Sequence, residues 1–398
     1  TYDPEVSRGV SFNDIFSVPV STVYRRENRR IMSFSKVEIA VSDSGQWSTF
    51  ETVSSSDVDL GVCKSSEGCR LASCSPEEIM NWMGHHKSSP EDIMEGCTQL
   101  IRLSSGKPEG HGLVAEAGVL ATLVECLALH SMHVAVLEKI IELMCALTLV
   151  PAVRGILRSL DGIESVILTM RRNPTHRAIQ VEGCTFMANV VFQSSNNKVL
   201  TGRVGGITAL LRAMRDFPWD VVLQTRACLA LRNICWTSEE NQILVGEMRG
   251  IGFILAALAR HAADHTLVEQ GMVALCNVSL YCPENRRKLL STCREKTILT
   301  ALRLHQNNKV IAEHAIALVT HLVGLDSGFR RQVCLEGGIE LILAAMKNFS
   351  GDTEVVLKAA LLLRHLSTFE ESRGAIFRLN GIEALSDALI IALKHDAC

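Results

Sequence analysis

The chain has 398 residues, a formal charge of −3 from 40 basic and 43 acidic side chains, and 5% aromatic against 47% hydrophobic residues. This balance offers no global field for tight binding to nucleic acid or anionic membranes, although local charged patches are compatible with it. The scarcity of aromatic residues argues against a large β-sandwich. No run of 18 uncharged apolar residues occurs, so no membrane span is expected.

Residues 1–74 are rich in serine and do not share the pattern of the rest of the chain. Their composition predicts a flexible N-terminal arm outside the repeats. An alternative is a regulatory arm that folds back onto the rest of the protein through a cluster of arginines. These are Arg25, Arg26, Arg29 and Arg30.

Most of the 14 cysteines, such as Cys184 and Cys228, occupy apolar positions of helical patterns, where a thiol acts as a small hydrophobic group. This usage fits a reducing compartment, so we expect a cytoplasmic protein, and a nuclear location is also compatible. Cys63, Cys69 and Cys74 lack the paired C-x-x-C spacing of a zinc site. Neither a metal nor another cofactor is expected.

From residue 105 onward the chain repeats with a period of 44 residues. Its motif is Gly-Ile-x-x-Leu-Leu-x-Ala-Met. One copy lacks the glycine, and the first copy matches the motif only weakly. The copies begin at Gly118, Gly162, Gly206, Gly250, Arg294, Gly338 and Gly381. All intervals are 44 residues except the last, which is 43, so the chain is an array of similar structural units.

Within one period the pattern predicts three helices, over residues 239–248, 250 to about 261, and 264 to about 279. The third carries the apolar stripe of a buried helix. Gly250 suits the tight joint between the first two helices, and Asp264 can cap the third.

This phasing predicts six complete units over residues 105–368, a partial unit over 75–104 and another over 369–398. Ser75-Pro76 is typical of a helix start, with proline in the first helical position. A unit of about 44 residues cannot bury its apolar faces alone and needs neighbours on both sides. The sequence therefore predicts one all-α solenoid over residues 75–398.

Two polar rows recur on the predicted third helices. The first, here called the asparagine row, consists of Cys145, Asn189, Asn233, Asn277, His321 and His365. The second lies seven residues earlier, which is two helical turns back on the same face. This charged row consists of Glu138, Glu182, Arg226, Gln270, His314 and Lys358.

The two rows are the candidate binding site. Asparagine offers a donor and an acceptor, which match the N–H and C=O groups of an extended peptide. Alternatively, the asparagines of the row tie adjacent units together. The charged row changes from acidic to basic along the chain, which favours a partner whose acidic part lies toward the C-terminal units. His321 and His365 would add pH sensitivity near neutrality if they act as a switch, the alternative being that they are simply packed or solvated side chains.

The pattern resembles armadillo repeats. Four features carry the resemblance. They are three helices per unit, a glycine before the second helix, Pro283-Glu284-Asn285 at the start of a first helix, and the in-register asparagine on the third helix. The resemblance covers about residues 75–398. It implies a right-handed superhelix whose stacked third helices form an inner face that binds extended peptides or partner proteins.

The sequence thus predicts a non-catalytic protein-interaction scaffold whose ligand is a protein or an extended peptide. One alternative is an importin-α-type nuclear transport adaptor, but that branch of the family carries tryptophan where this chain has Thr185, Leu229 and Val273. Another is a structural component of a large cytoskeletal or ciliary assembly. No phosphate loop, Gly-x-Ser-x-Gly elbow or His-Glu-x-x-His helix occurs, so catalysis is not expected. Nucleic-acid binding is not expected either, because the charges nearly balance.

Overall fold

The computed structural model describes residues 71–105, 110–116, 118–292 and 295–396. These ranges contain 22 α-helices and no strand, which confirms the predicted all-α solenoid. Residues 1–70 lie outside the described residues. They contain most of the predicted arm, including its arginine cluster, Cys63 and Cys69.

The helices come in sets of three. Two helices precede the sets, α1 (Pro76–His85) and α2 (Pro90–Ser105). Units 1 to 3 are α3 (Gly110–Glu116), α4 (Leu120–Leu129), α5 (Val134–Leu147); α6 (Pro151–Ser159), α7 (Gly162–Arg172), α8 (Arg177–Val190); and α9 (Ser195–Arg203), α10 (Gly206–Asp216), α11 (Val221–Cys235). Units 4 to 6 are α12 (Glu239–Glu247), α13 (Gly250–Arg260), α14 (His265–Ser279); α15 (Pro283–Thr292), α16 (Glu295–Leu304), α17 (Lys309–Val323); and α18 (Ser327–Leu335), α19 (Gly338–Asn348), α20 (Thr353–Leu366). After them come α21 (Glu370–Arg378) and α22 (Gly381–Asp396).

The third helices form the centre of the fold. From α5 to α20, each packs against the third helix of the next unit and against the second helix of its own unit. In α14 the apolar stripe Leu267, Leu275 and Val278 is fully or almost fully buried. Each such leucine contributes roughly 1.5–3 kcal/mol relative to an exposed position. The core therefore continues from one unit to the next.

Polar side chains fix where the third helices begin. The Asp264 carboxylate accepts the Leu267 N–H at 2.8 Å, as predicted for an N-cap. The same bond recurs from Asp220, Asn308 and Asp352. At the N-terminal end of the described chain, Ser75 and Glu78 form a capping box that starts α1. Each cap contributes about 1 kcal/mol.

The joint between first and second helices needs Gly250 for space. The left-handed residue of this joint is Arg249, with φ of +60°. A Cβ on Gly250 would lie 2.9 Å from the Val245 carbonyl oxygen and 2.5 Å from a Val245 methyl group. At Gly162, Gly206, Gly250, Gly338 and Gly381 the glycine thus permits the close approach of two helices, while the residue before it makes the turn. In unit 1, Gly118 itself has the positive φ, and a Cβ there would meet nothing within 4 Å.

Candidate peptide-binding face

The two polar rows cross the stack of third helices side by side. In both rows most side chains are half-buried, while Cys145, Gln270 and Asn277 are buried. Between the rows lies a mostly apolar stripe four residues before the asparagine row. It consists of Ile141, Thr185, Leu229, Val273, Ala317 and Leu361. The face therefore offers polar, apolar and polar positions on each helix.

The asparagines of the row bind the preceding unit. Asn233 Nδ2 donates to the Ala188 carbonyl oxygen at 2.9 Å, and Asn277 Nδ2 to that of Arg232 at 2.9 Å. Asn189 makes a longer bond of 3.5 Å to the Cys145 carbonyl oxygen. The geometry thus includes the tie between units that was the alternative interpretation. A second N–H and an oxygen remain on each carboxamide, so peptide binding stays a prediction for these residues.

A second asparagine series, on the first helices, was not recognised as a site from the sequence. Asn285 Nδ2 donates to the Gln242 carbonyl oxygen at 2.7 Å and to that of Val278 at 2.8 Å, both in the preceding unit. Asn197 and Asn241 make the equivalent pairs of bonds. All three are almost fully buried. Their 44-residue spacing is the sequence signal that identifies them.

A third series places positive charge at the C-terminal ends of the third helices. Arg286 Nε donates to the Ser279 carbonyl oxygen at 3.0 Å, and Arg330 Nε to that of Val323 at 3.0 Å. Gln242, at the same repeat position but uncharged, donates to the equivalent carbonyl oxygen of Cys235. Arg154 and Lys198, also at this position, donate instead to the carbonyl oxygens of Phe192 and Trp236, which follow the third helix of their own unit. Cations are favoured there because the unsatisfied carbonyl groups give this helix end a partial negative charge.

The N-terminal part of the face is acidic, as the charged row predicts. Burial, followed by repulsion from Glu142, raises the pKa of Glu182. Glu138 has a smaller effect in the same direction, whereas Arg226 opposes it. Glu142 is itself paired with Lys139 at 2.7 Å. The carboxylates of units 1 and 2 thus lie close enough to interact.

The basic character of Lys358 is largely offset by a carboxylate outside the charged row. Lys358 Nζ lies 2.6 Å from Glu313 Oε1, and the two side chains are 12% and 11% exposed. Glu354 is 3.9 Å from the same nitrogen. The positive charge at this end of the face therefore comes more from Arg286, Arg330 and their neighbours than from the row itself.

The three histidines of the polar rows, His314, His321 and His365, are held in their neutral form at pH 7. Burial, followed by repulsion from Arg286, lowers the pKa of His321 to about 4. Burial and then Arg364 lower the pKa of His365, whose Nε2 is buried without a hydrogen-bond partner. His314 Nδ1 lies 2.9 Å from the Val310 carbonyl oxygen, and burial lowers its pKa. Titration of His321 is thereby moved from neutrality to acid pH.

The described ranges carry no cluster of three or more histidine, cysteine or acidic side chains placed to hold a metal ion. Buried cysteines of these ranges, such as Cys184 and Cys228, are free thiols. Within the same ranges no single helix is long and apolar enough to cross a bilayer. Two pairs of consecutive helices, bent by 75° and 73°, reach that length and composition only when taken together.

No protein-family model matches the chain, and no curated protein sequence matches it. Solved structures do match its fold. One, from work on a phosphorylation switch that controls the interaction between cadherin and β-catenin, has a TM-score of 0.66 at 16% identity, over 78% of this chain and 60% of its own. An engineered protein has a TM-score of 0.55 at 16% identity, over 80% and 87%. This chain thus spans about 60% of the first of these chains, and the likeness identifies a helical-repeat solenoid.

Proposed function

We propose that the chain is an armadillo-type scaffold that binds an extended peptide, or an extended segment of a partner protein, across its third helices and catalyses no reaction. The observation that carries the proposal is the order of polar, apolar and polar positions on successive stacked helices. Such a surface offers hydrogen bonds to a peptide backbone and apolar contacts to alternate side chains. The solved structure from the cadherin and β-catenin work shares the fold, which supports this role.

The charges of the face give the bound segment a direction. Glu138, Glu142 and Glu182 make units 1 and 2 acidic, whereas Arg286 and Arg330 flank the later third helices. A segment with basic residues over the early units and acidic residues over the late ones is therefore favoured. The site that we propose includes Arg226, Gln270, His314, Lys358 and the asparagine row.

The nuclear transport adaptor remains the second candidate among binding proteins. The positions where the importin-α branch carries tryptophan hold Thr185, Leu229 and Val273, so the aromatic walls of lysine pockets are absent there. A basic localisation peptide should therefore bind weakly. Micromolar affinity for such a peptide would favour the adaptor. Weaker binding would favour a cytoplasmic scaffold.

The test compares two double variants of the full chain. Peptides are first selected from a random displayed library, and their dissociation constants are measured by fluorescence anisotropy. Asn233→Ala with Asn277→Ala changes the proposed site, and we expect binding to weaken at least about tenfold, which is roughly 1.4 kcal/mol. The matched control is Asn241→Ala with Asn285→Ala, which removes ties between units on the first helices.

Thermal unfolding separates binding from stability. Both double variants should lower the unfolding temperature, because each leaves buried carbonyl groups without their donor. The control should nevertheless keep the wild-type affinity below its unfolding temperature. Equal affinities of the wild type and the Asn233, Asn277 variant, or equal losses in both variants, would contradict the proposed site.

A further inference from the structure

Every unit turns from its second to its third helix at the same edge of the solenoid, here called the turn edge. Successive turns touch: His261 Nε2 donates to the Pro218 carbonyl oxygen at 3.0 Å, and His305 Nε2 to that of Ala262 at 2.7 Å. His130 makes the equivalent bond to the Lys87 carbonyl oxygen. Each bond joins residues 43 positions apart in the sequence, and together they link the turn of unit 1 to the turn before α2 and the turns of units 3, 4 and 5 to one another. An ion pair links Arg177, at the start of α8, to Asp220 in the turn of unit 3.

Large apolar side chains project from the turn edge in units 1 and 3. Met132 is 86% exposed, Trp219 is 77% exposed and Leu129 is 56% exposed. The Arg260 guanidinium covers one face of Trp219, with 4.7 Å between its carbon and the ring centroid. Isolated exposed side chains are common, but three such large ones along one edge indicate an interaction surface.

Basic side chains lie between these apolar ones. Arg171 and Arg172 end α7, Arg260 ends α13, and all three are exposed and lack a carboxylate partner in the described ranges. The neighbouring carboxylates already face other groups: Glu125 pairs with Lys87, Asp216 with Arg212 and Arg215, Asp220 with Arg177, and Asp264 caps α14. Over units 2 to 4 the strip therefore carries excess positive charge on a chain whose net charge is −3, whereas Glu91 and Glu95 lie beside the turn of unit 1.

We infer that the turn edge of units 1 to 4 binds the surface of an anionic lipid bilayer. Trp219, Met132 and Leu129 enter the interfacial layer, where an indole ring is most favourably placed. Arg171, Arg172 and Arg260 lie within a Debye length of the headgroups and attract their negative charge. Packed helices are roughly 8–10 Å apart, so four units give a strip on the order of 30 Å.

A bilayer fits the strip better than a nucleic acid does. Phosphate contacts would use the arginines equally well in both cases. Exposed methionine and leucine side chains, however, gain nothing from a phosphate backbone, whereas they gain free energy in the acyl boundary of a membrane. The strip is also separate from the polar rows, so the bilayer and a peptide in the proposed site do not compete for the same side chains.

The test is cosedimentation of the full chain with vesicles of phosphatidylcholine alone or with about 30% phosphatidylserine. We expect binding to the anionic vesicles only, weakening as salt is raised. Arg171→Gln with Arg172→Gln should lower the partition coefficient at least about tenfold. Trp219→Ala with Met132→Ser should lower it by a similar factor.

The matched control is Leu149→Ser with Leu325→Ser. These leucines are 56% and 54% exposed, but they follow the third helices at the opposite end from the turn edge. This control should bind vesicles like the wild type, and so should the Asn233, Asn277 double alanine variant. Unchanged binding of the arginine or Trp219 variants, equal binding to both vesicle types, or displacement of the chain from vesicles by RNA at low concentration would overturn the inference.

Discussion

Gly246 leaves the space that the Asn285 side chain fills. A Cβ at position 246 would stand 1.7 Å from Asn285 Oδ1, well inside van der Waals contact. Because Asn285 binds two carbonyl groups of unit 4, it cannot move aside without breaking them. The first helices of units 4 and 5 are therefore matched residue to residue.

Gly246→Ala should accordingly lower the free energy of unfolding by about 3 kcal/mol, the range of an overpacked core. Urea denaturation followed by circular dichroism measures this. Gly155→Ala is the matched control, since it also lies on a first helix and its Cβ would meet nothing within 4 Å. Gly155→Ala should raise the free energy of unfolding by about 0.5–1 kcal/mol, because alanine is the better helix former. A loss at both positions would show that the collision is not the cause.

A double-mutant cycle tests the contact between Gly246 and Asn285 directly. Asn285→Ala alone should cost about 1–3 kcal/mol, because the Gln242 and Val278 carbonyl groups lose their donor. In that background Gly246→Ala should cost much less than in the wild type, giving a coupling of at least about 1 kcal/mol. Additive effects would mean that Asn285 relaxes away from position 246.

Lys358 should matter for stability through Glu313. Lys358→Ala leaves the Glu313 carboxylate largely buried without its cation, and we expect a loss of about 2 kcal/mol in denaturant unfolding. Lys358→Met combined with Glu313→Leu should recover most of the stability that Lys358→Ala loses. Lys309→Ala is the control, because Lys309 pairs with Asp352 while 52% exposed, and such pairs contribute less than about 1 kcal/mol. Equal losses in both single variants would contradict this account.

His321 should make the folded state sensitive to mild acid. Its pKa is about 4 in the folded chain, below the reference value of about 6.5. Between these values the unfolded chain binds the proton and the folded chain does not, so stability falls as pH falls. From pH 7 to pH 5 the loss should be about 2 kcal/mol. His321→Gln should flatten this slope, whereas His265→Gln, at an exposed site, should leave it as in the wild type.

The repeated elements of the fold could be predicted from the sequence because their spacing is regular. The period located the three helices of each unit, the Asp264 cap and the joint at Gly250. Asp161, Gly205, Gly337 and Asn380 take the left-handed conformation at the position before the repeated glycine and are residue types that favour it. Arg249 takes it as well, although its residue type gives no such signal. Local backbone strain of this kind depends on the packing of the helices that follow.

The candidate face was predictable as a set of positions but not as a set of contacts. The rows place Asn233 and Lys358 on one face by helical periodicity alone. Their partners, the Ala188 carbonyl group and the Glu313 carboxylate, come from helices 45 residues away and depend on how the units stack. The role of Asn285 was missed for the same reason, although its spacing was visible.

The first-helix asparagines also set how the solenoid would respond to a pulling force. Asn197, Asn241 and Asn285 fasten the joints between units 2 and 3, 3 and 4, and 4 and 5. In units 2 and 6 the same position holds Val153 and Phe329, which donate no such bond. Under tension the units at both ends of the solenoid should therefore separate first, while units 2 to 5, which the asparagines join, separate last.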